Sequence, residues 1–163
     1  MADLEQIHHL LFLMELLAPS RPLWIVSAWL SDVAVVDNRG GELSSIAPGL
    51  PARRIGLVEV ITELVGKGGD VRVVVREDEH NRAVVGQLQQ LARRSSAGSL
   101  SVSMRRDLHD KVVVGERLLV EGSMNLTHRG ALRNEEGVRV VTDAADIATQ
   151  RHELNRRFGG GAQ

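Results

Sequence analysis

At 163 residues, 43% apolar and 25% charged, the chain has the composition of one ordinary globular domain, large enough to bury a core. A net charge of −1 excludes a chain that coats nucleic acid through bulk positive charge, and the absence of cysteine excludes disulfides and thiolate metal ligands. Aromatic residues make up only 2%, so Val, Leu, Ile and Ala must build the core.

Residues 3–18 read as an amphipathic helix, with Asp3 as a cap and Pro19 beyond its end. The run has no basic leader, carries Glu15 inside it and is too short to cross a bilayer, so a cytoplasmic protein without a membrane partner is expected. His8 and His9 are adjacent and point in different directions on a helix, which makes them poor joint metal ligands. The apolar run 22–30, PLWIVSAWL, reads as a buried strand. Trp24 and Trp29 sit at odd spacing on it, so one is expected in the core and the other is a candidate for base stacking. The Gly-, Pro- and Ser-rich segment 37–54 reads as a long surface loop of the kind that forms lids and rims.

Helical spacing returns from Ile55 to Val65 and stops at the glycines 66–69. A strand over 70–76, a helix over 79–94 and a short strand over 100–104 follow. Next come a hairpin over 109–121, a polar connection, a strand over 137–141 and a helix over 143–158. Strands alternating with helices predict a three-layer α/β/α sandwich, and the hairpin makes its sheet mixed. One domain over 1–158 with a frayed tail at 159–163 is expected.

Polar residues cluster at the open ends of the hairpin. His109 and Lys111 alternate with Asp110 and Val112 and so project to one face. A turn at Gly115-Glu116-Arg117 sets Ser123 opposite His109 and Glu121 opposite Lys111, to within one residue. Gly122-Ser123-x-Asn125 therefore returns beside His109-x-Lys111. An imidazole works as nucleophile or acid–base group near neutral pH, while an ammonium, a hydroxyl and a carboxamide supply donors to phosphate oxygens. Without three metal ligands nearby, neither a metal nor another cofactor is expected. A polar sheet end with a merely hydrogen-bonded histidine is the bland alternative.

The pattern H109-x-K111 followed by G122-S123-x-N125 resembles the HKD signature of the phospholipase D superfamily, H-x-K-x4-D-x6-G-S-x-N. Asn134 and Glu136 in RNEEGVRVV match the family's downstream N-x-E, in which the glutamate faces the catalytic histidine. Two departures stand out: Glu116 replaces the family aspartate, and five residues rather than six separate it from Gly122. The family aspartate mainly stabilises the turn, so a tighter hairpin with Glu116 is expected to keep the active ends together. Asp107 and Asp110 match no catalytic position and read as structural.

The resemblance implies that one histidine attacks phosphorus to give a phosphohistidine, and a second protonates the leaving oxygen and then activates water. It assigns His109, Lys111, Ser123, Asn125 and Glu136 to catalysis. A complete family site uses two motifs, and neither His80, His128 nor His152 has a lysine two residues on. A homodimer in which each chain contributes one motif is therefore expected. His128 is expected to lie near the groove. The clumped arginines Arg105, Arg106, Arg129 and Arg133 are candidates to hold a nucleic acid backbone, DNA or RNA. Short single-motif family members are mostly nucleases or nuclease-like domains of defence systems, including phage defence, so other subunits of a multi-protein system are conceivable partners. A lipid phosphodiesterase and a non-catalytic scaffold subunit are the rival readings.

Overall fold

The computed structural model describes residues 4–122, 125–127 and 137–160. Its elements in chain order are α1 (Leu4–Leu17), β1 (Leu23–Ser27), β2 (Ala34–Asp37), β3 (Arg54–Gly56), α2 (Leu57–Gly66) and β4 (Asp70–Arg76). There follow α3 (Arg82–Arg94), β5 (Ser99–Arg105), β6 (Lys111–Val114), β7 (Leu119–Gly122), β8 (Val138–Val141) and α4 (Ala144–Phe158). The main sheet has six strands in the order β5-β4-β1-β6-β7-β8. β5, β4 and β1 run parallel, whereas β1, β6, β7 and β8 pair antiparallel in turn, so the sheet is mixed as the hairpin requires.

Alternation along the strands sorts the core into two layers. Leu23 and Ile25 of β1, Val71, Val73 and Val75 of β4, and Val113 of β6 pack against α1, α2 and α3. Trp24 and Val26, with Val74, Val112, Val114 and Val141, pack against Ile147 and Leu154 of α4. The result is the three-layer α/β/α sandwich with a mixed β-sheet.

The segment 37–54 is not a free loop. The short runs AVVD and RIG at its borders form β2 and β3, an antiparallel pair with an irregularity between Ala34 and Val36. Between them a 3₁₀ turn covers Glu42–Ser45. The buried Asn38 closes the excursion: its Nδ2 donates to the Pro51 carbonyl at 2.9 Å, and its Oδ1 accepts from the Leu43 N–H at 3.0 Å. One side chain thus satisfies backbone groups that a loop normally leaves to water. β1 ends at Ser27, so Trp29 lies just beyond it rather than within it. The segment before α3 starts as a 3₁₀ turn, Glu79–Asn81.

The hairpin register falls at one limit of the expected range, one position from its centre. Glu121 faces Val112, not Lys111, because Leu118 belongs to the turn; Gly115 N–H donates to the Leu118 carbonyl at 3.0 Å. Directly opposed residues share a face, so Glu121 is carried with Val112 to the α4 side. There Arg139 meets it at 2.7 Å and reaches Asp146 of α4 at 3.5 Å. Lys111 projects to the other face, where it lines a small cavity with His8 and Ser27.

Among the described residues no helix is long and apolar enough to cross a membrane.

Candidate active site

The polar cluster sits at one end of the sheet, beyond the carboxyl ends of β1 and β4 and at the start of β6. Open α/β sheets bind ligands at this end because the loops leaving the parallel strands diverge there. Leu108 is the anchor for the segment ahead of β6: it is buried beside Trp24 and Val112, so the next residue, His109, is held at the rim and exposed. Lys111 is paired in register with Ser27 of β1, and its ammonium donates to the His109 carbonyl at 2.9 Å.

Asn125 returns to the same place. Its Oδ1 accepts from the Trp29 N–H at 3.1 Å and lies 3.5 Å from the buried Ser27 hydroxyl. The engaged oxygen leaves the carboxamide NH2 as the group Asn125 can offer to a phosphate oxygen. Ser27 in turn donates to the Trp29 carbonyl at 2.7 Å and accepts from the Leu126 N–H at 3.3 Å, which fixes the chain on both sides of Asn125.

Arg76, at the carboxyl end of β4, completes the arrangement. Its guanidinium donates to the Leu108 carbonyl at 3.0 and 2.7 Å, and its Nη2 lies 2.9 Å from His109 Nδ1. A guanidinium has donors only, so Nδ1 accepts, and the neutral ring carries its proton on Nε2. Arg76 also stacks over Trp29, with Cζ 5.0 Å from the ring centroid. His109, Arg76, Trp29, Asn125, Ser27 and Lys111 thus form a continuous ring of contacts around the sheet end. An open cleft beside it is lined by His109, Asp110, Lys111, Gly122 and Arg139.

The other expected residues fall as follows. Asp110 has a structural role: it forms a two-point ion pair with Arg157 of α4, at 3.2 and 2.8 Å, which holds its carboxyl below the usual carboxylate range. Arg105 lies with Cζ 5.9 Å from the Phe158 centroid, and the exposed Arg106 meets Glu77 at 3.3 Å. Neither arginine shares a described contact with His109. Ser123, Glu136, Arg129, Arg133 and His128 lie outside the described residues. Among the described residues no group of three His, Asp or Glu side chains is placed to hold a metal ion.

Glu116 fastens the hairpin turn to the body of the protein. Its carboxylate accepts from the Arg21 N–H at 3.0 Å and lies 3.8 Å from Arg151 of α4, while its own N–H donates to the Ser20 hydroxyl at 2.7 Å. Ser20 donates through hydroxyl and N–H to the buried Glu15 at 2.8 and 2.7 Å. The longer side chain in place of an aspartate therefore has definite partners.

Arg76 escaped the sequence reading because it lies 33 positions before His109. The available signal was the second arginine of VRVVVR, which closes the run at the strand end where α/β sheets place ligands.

A mixed sheet sandwiched between helices, with histidine, lysine and asparagine at the carboxyl end of its parallel strands, defines a three-layer class of α/β protein with a polar site at the sheet end. The family profile described as "Cardiolipin synthase, PLD-like domain" matches residues 44–158, and the chain belongs to this phospholipase D-like family. Three solved structures share the fold. Nuc from Salmonella typhimurium, a phospholipase D family member, is 16% identical with a TM-score of 0.60, over 94% of this chain and 88% of that one. NucT from Helicobacter pylori is 12% identical with a TM-score of 0.59, over 93% and 87%. TrmBL2, an archaeal chromatin protein with a novel mode of DNA binding, is 10% identical with a TM-score of 0.59, over 99% and 52%. At these identities the likeness establishes fold alone. No curated protein sequence matches the chain.

Proposed function

We propose that the chain is a metal-independent phosphodiesterase that hydrolyses nucleic acid, with its complete site shared between two copies. The observation that carries this reading is the ring of contacts that holds an exposed imidazole, an ammonium and a carboxamide at one sheet end. The chain supplies one histidine–lysine pair, and in-line displacement at phosphorus by histidine needs one ring to attack and one to protonate. A twofold dimer supplies both.

In the first step Nε2 of one His109 forms a bond to phosphorus. The bond to the leaving oxygen breaks, and that oxygen takes the Nε2 proton of the partner's His109. In the second step the now-neutral imidazole accepts a proton from water, the resulting hydroxide attacks phosphorus, and the phosphorus–nitrogen bond breaks. The donor of the first step starts as an imidazolium, protonated on both nitrogens, so that loss of its Nε2 proton leaves a neutral ring. Both rings carry a proton on Nδ1 in this step, with Arg76 withdrawn from that nitrogen, and the contact with Arg76 belongs to the resting ring. Lys111 and the Asn125 carboxamide, joined in this reading by Ser123, stabilise the charge on the trigonal-bipyramidal phosphorus. Glu136 would hold the Nδ1 proton of the attacking ring. TrmBL2, a DNA-binding chromatin protein of which 52% matches this chain, is in keeping with a nucleic acid substrate.

The test is cleavage of single- and double-stranded DNA and RNA in EDTA by the wild type and by His109→Asn, with mass measured by light scattering. Cleavage by a wild-type dimer, lost in the variant, is expected. Cleavage that disappears on chelation, survives in the variant or comes from a monomer overturns the mechanism. Hydrolysis of phosphatidylcholine without cleavage of any nucleic acid assigns a lipid substrate instead.

A further inference from the structure

Of the two tryptophans, Trp24 is buried and Trp29 is 38% exposed at the rim that carries His109. Trp29 is held there by more contacts than an exposed side chain requires. Its N–H donates to Asn125 and its carbonyl accepts from Ser27. Its indole N–H donates to the Asp78 carboxylate, which, after the His80 N–H, is the second cause holding that carboxyl below its ordinary range. The next residue, Leu30, donates its N–H to Asn81 Oδ1 at 2.8 Å, and Asn81 is wholly buried. Arg76 covers one region of the ring and reaches His109 with the same guanidinium. The ring centre therefore lies within roughly 9 Å of the imidazole, a guanidinium C–N bond being close in length to a peptide one.

We infer that Trp29, backed by Arg76, is a stacking platform for one base of a single-stranded nucleic acid whose phosphate lies at His109. The inference rests on the phosphodiesterase reading for the place of the phosphate, and it narrows the substrate to a single strand, because a base paired within a duplex has no face free for an indole. An immobilised ring loses little rotamer freedom on binding. A base face on an indole, reinforced by the cation beneath it, is selective for an unstacked base but not for its identity. A glycerophospholipid offers no such aromatic face.

The test uses full-length His109→Asn protein, so that binding is read without turnover, and single-stranded DNA hexamers that each lack one base in turn. Loss of one particular base is expected to weaken binding roughly tenfold. Adding Trp29→Leu makes all hexamers equivalent, whereas Trp29→Phe keeps part of the difference. Hexamers that bind equally well with or without any base, while the wild type cleaves them, overturn the platform and leave the nuclease reading intact. A base effect lost with Trp29→Leu, in a protein that cleaves nothing, leaves the platform standing and removes the nuclease. Binding of no hexamer overturns the platform, and the nuclease reading then stands or falls on the cleavage of duplex DNA and RNA.

Discussion

Arg76 decides which nitrogen of His109 is free. A cation donating to Nδ1 leaves Nε2 as the proton-bearing atom of the neutral ring, while the same side chain ties the Leu108 carbonyl. Arg76 is a positioning residue in this arrangement. Arg76→Met is expected to lower kcat about 100-fold through loss of the anchor on the Leu108 carbonyl, which places the His109 backbone, with a smaller change in KM. Arg76→Lys should recover part of kcat, since an ammonium can reach one of the two acceptors. Nitrogen-15 NMR of His109 separates this from a merely structural role: the wild type reads as the Nε2–H form, and Arg76→Met as a mixture. An unchanged tautomer and kcat in Arg76→Met would sink the assignment. His109, Lys111 and Asn125 were legible from the sequence because their types and spacing form a local pattern. Arg76 was not, because a contact across 33 positions is fixed by strand pairing and leaves no periodic trace.

At the scale of elements, the hairpin was legible in its strands and, to within one residue, in its turn. Leu118 is apolar and 5% exposed, so it reads as strand, yet it fills the core from the turn and moves the pairing by one position. The fit of the turn against α1 is tight. A Cβ built on Gly115 would lie 2.2 Å from Glu15 Oε1 and 2.6 Å from the Ser20 hydroxyl, groups that already bond each other. Gly115→Ala is therefore expected to destabilise the fold by about 1–3 kcal/mol, the range for overpacking a closed site. Urea unfolding reads this as a lower midpoint with unchanged slope, and an unchanged midpoint would show that the turn gives way freely. The strands β2 and β3 were missed for a related reason: each is three or four residues long, and the Gly, Pro and Ser between them dominate the local composition.

For the molecule as a whole, the layered architecture was legible because alternation and helical spacing operate on every element and must agree for a sheet to be covered on both faces. Burial at the interface between α1 and the sheet also sets an acid limit. His8, half-buried on α1 over the cavity that Lys111 lines, has its pKa lowered by desolvation from 6.5 to about 4. The unfolded chain binds the proton more readily, so stability rises with pH across that window and falls as the medium is acidified from 6.5 towards 4. At pH 5 the loss from this group is at most about 2 kcal/mol. His8→Leu should flatten the difference between unfolding midpoints at pH 7 and pH 5, and an equal difference in the two proteins would exclude His8 as its source. Inside the same body, the Asn81 carboxamide serves Leu30 N–H, the Ala28 carbonyl and the Arg76 carbonyl at 2.8 Å each. One amide thus ties together the chain segment bearing the indole and the one bearing the guanidinium. If the proposed nuclease and its base platform hold, natural variation there would alter affinity for a strand and the rate of cutting it in a single step, so the two traits would be coupled at that position.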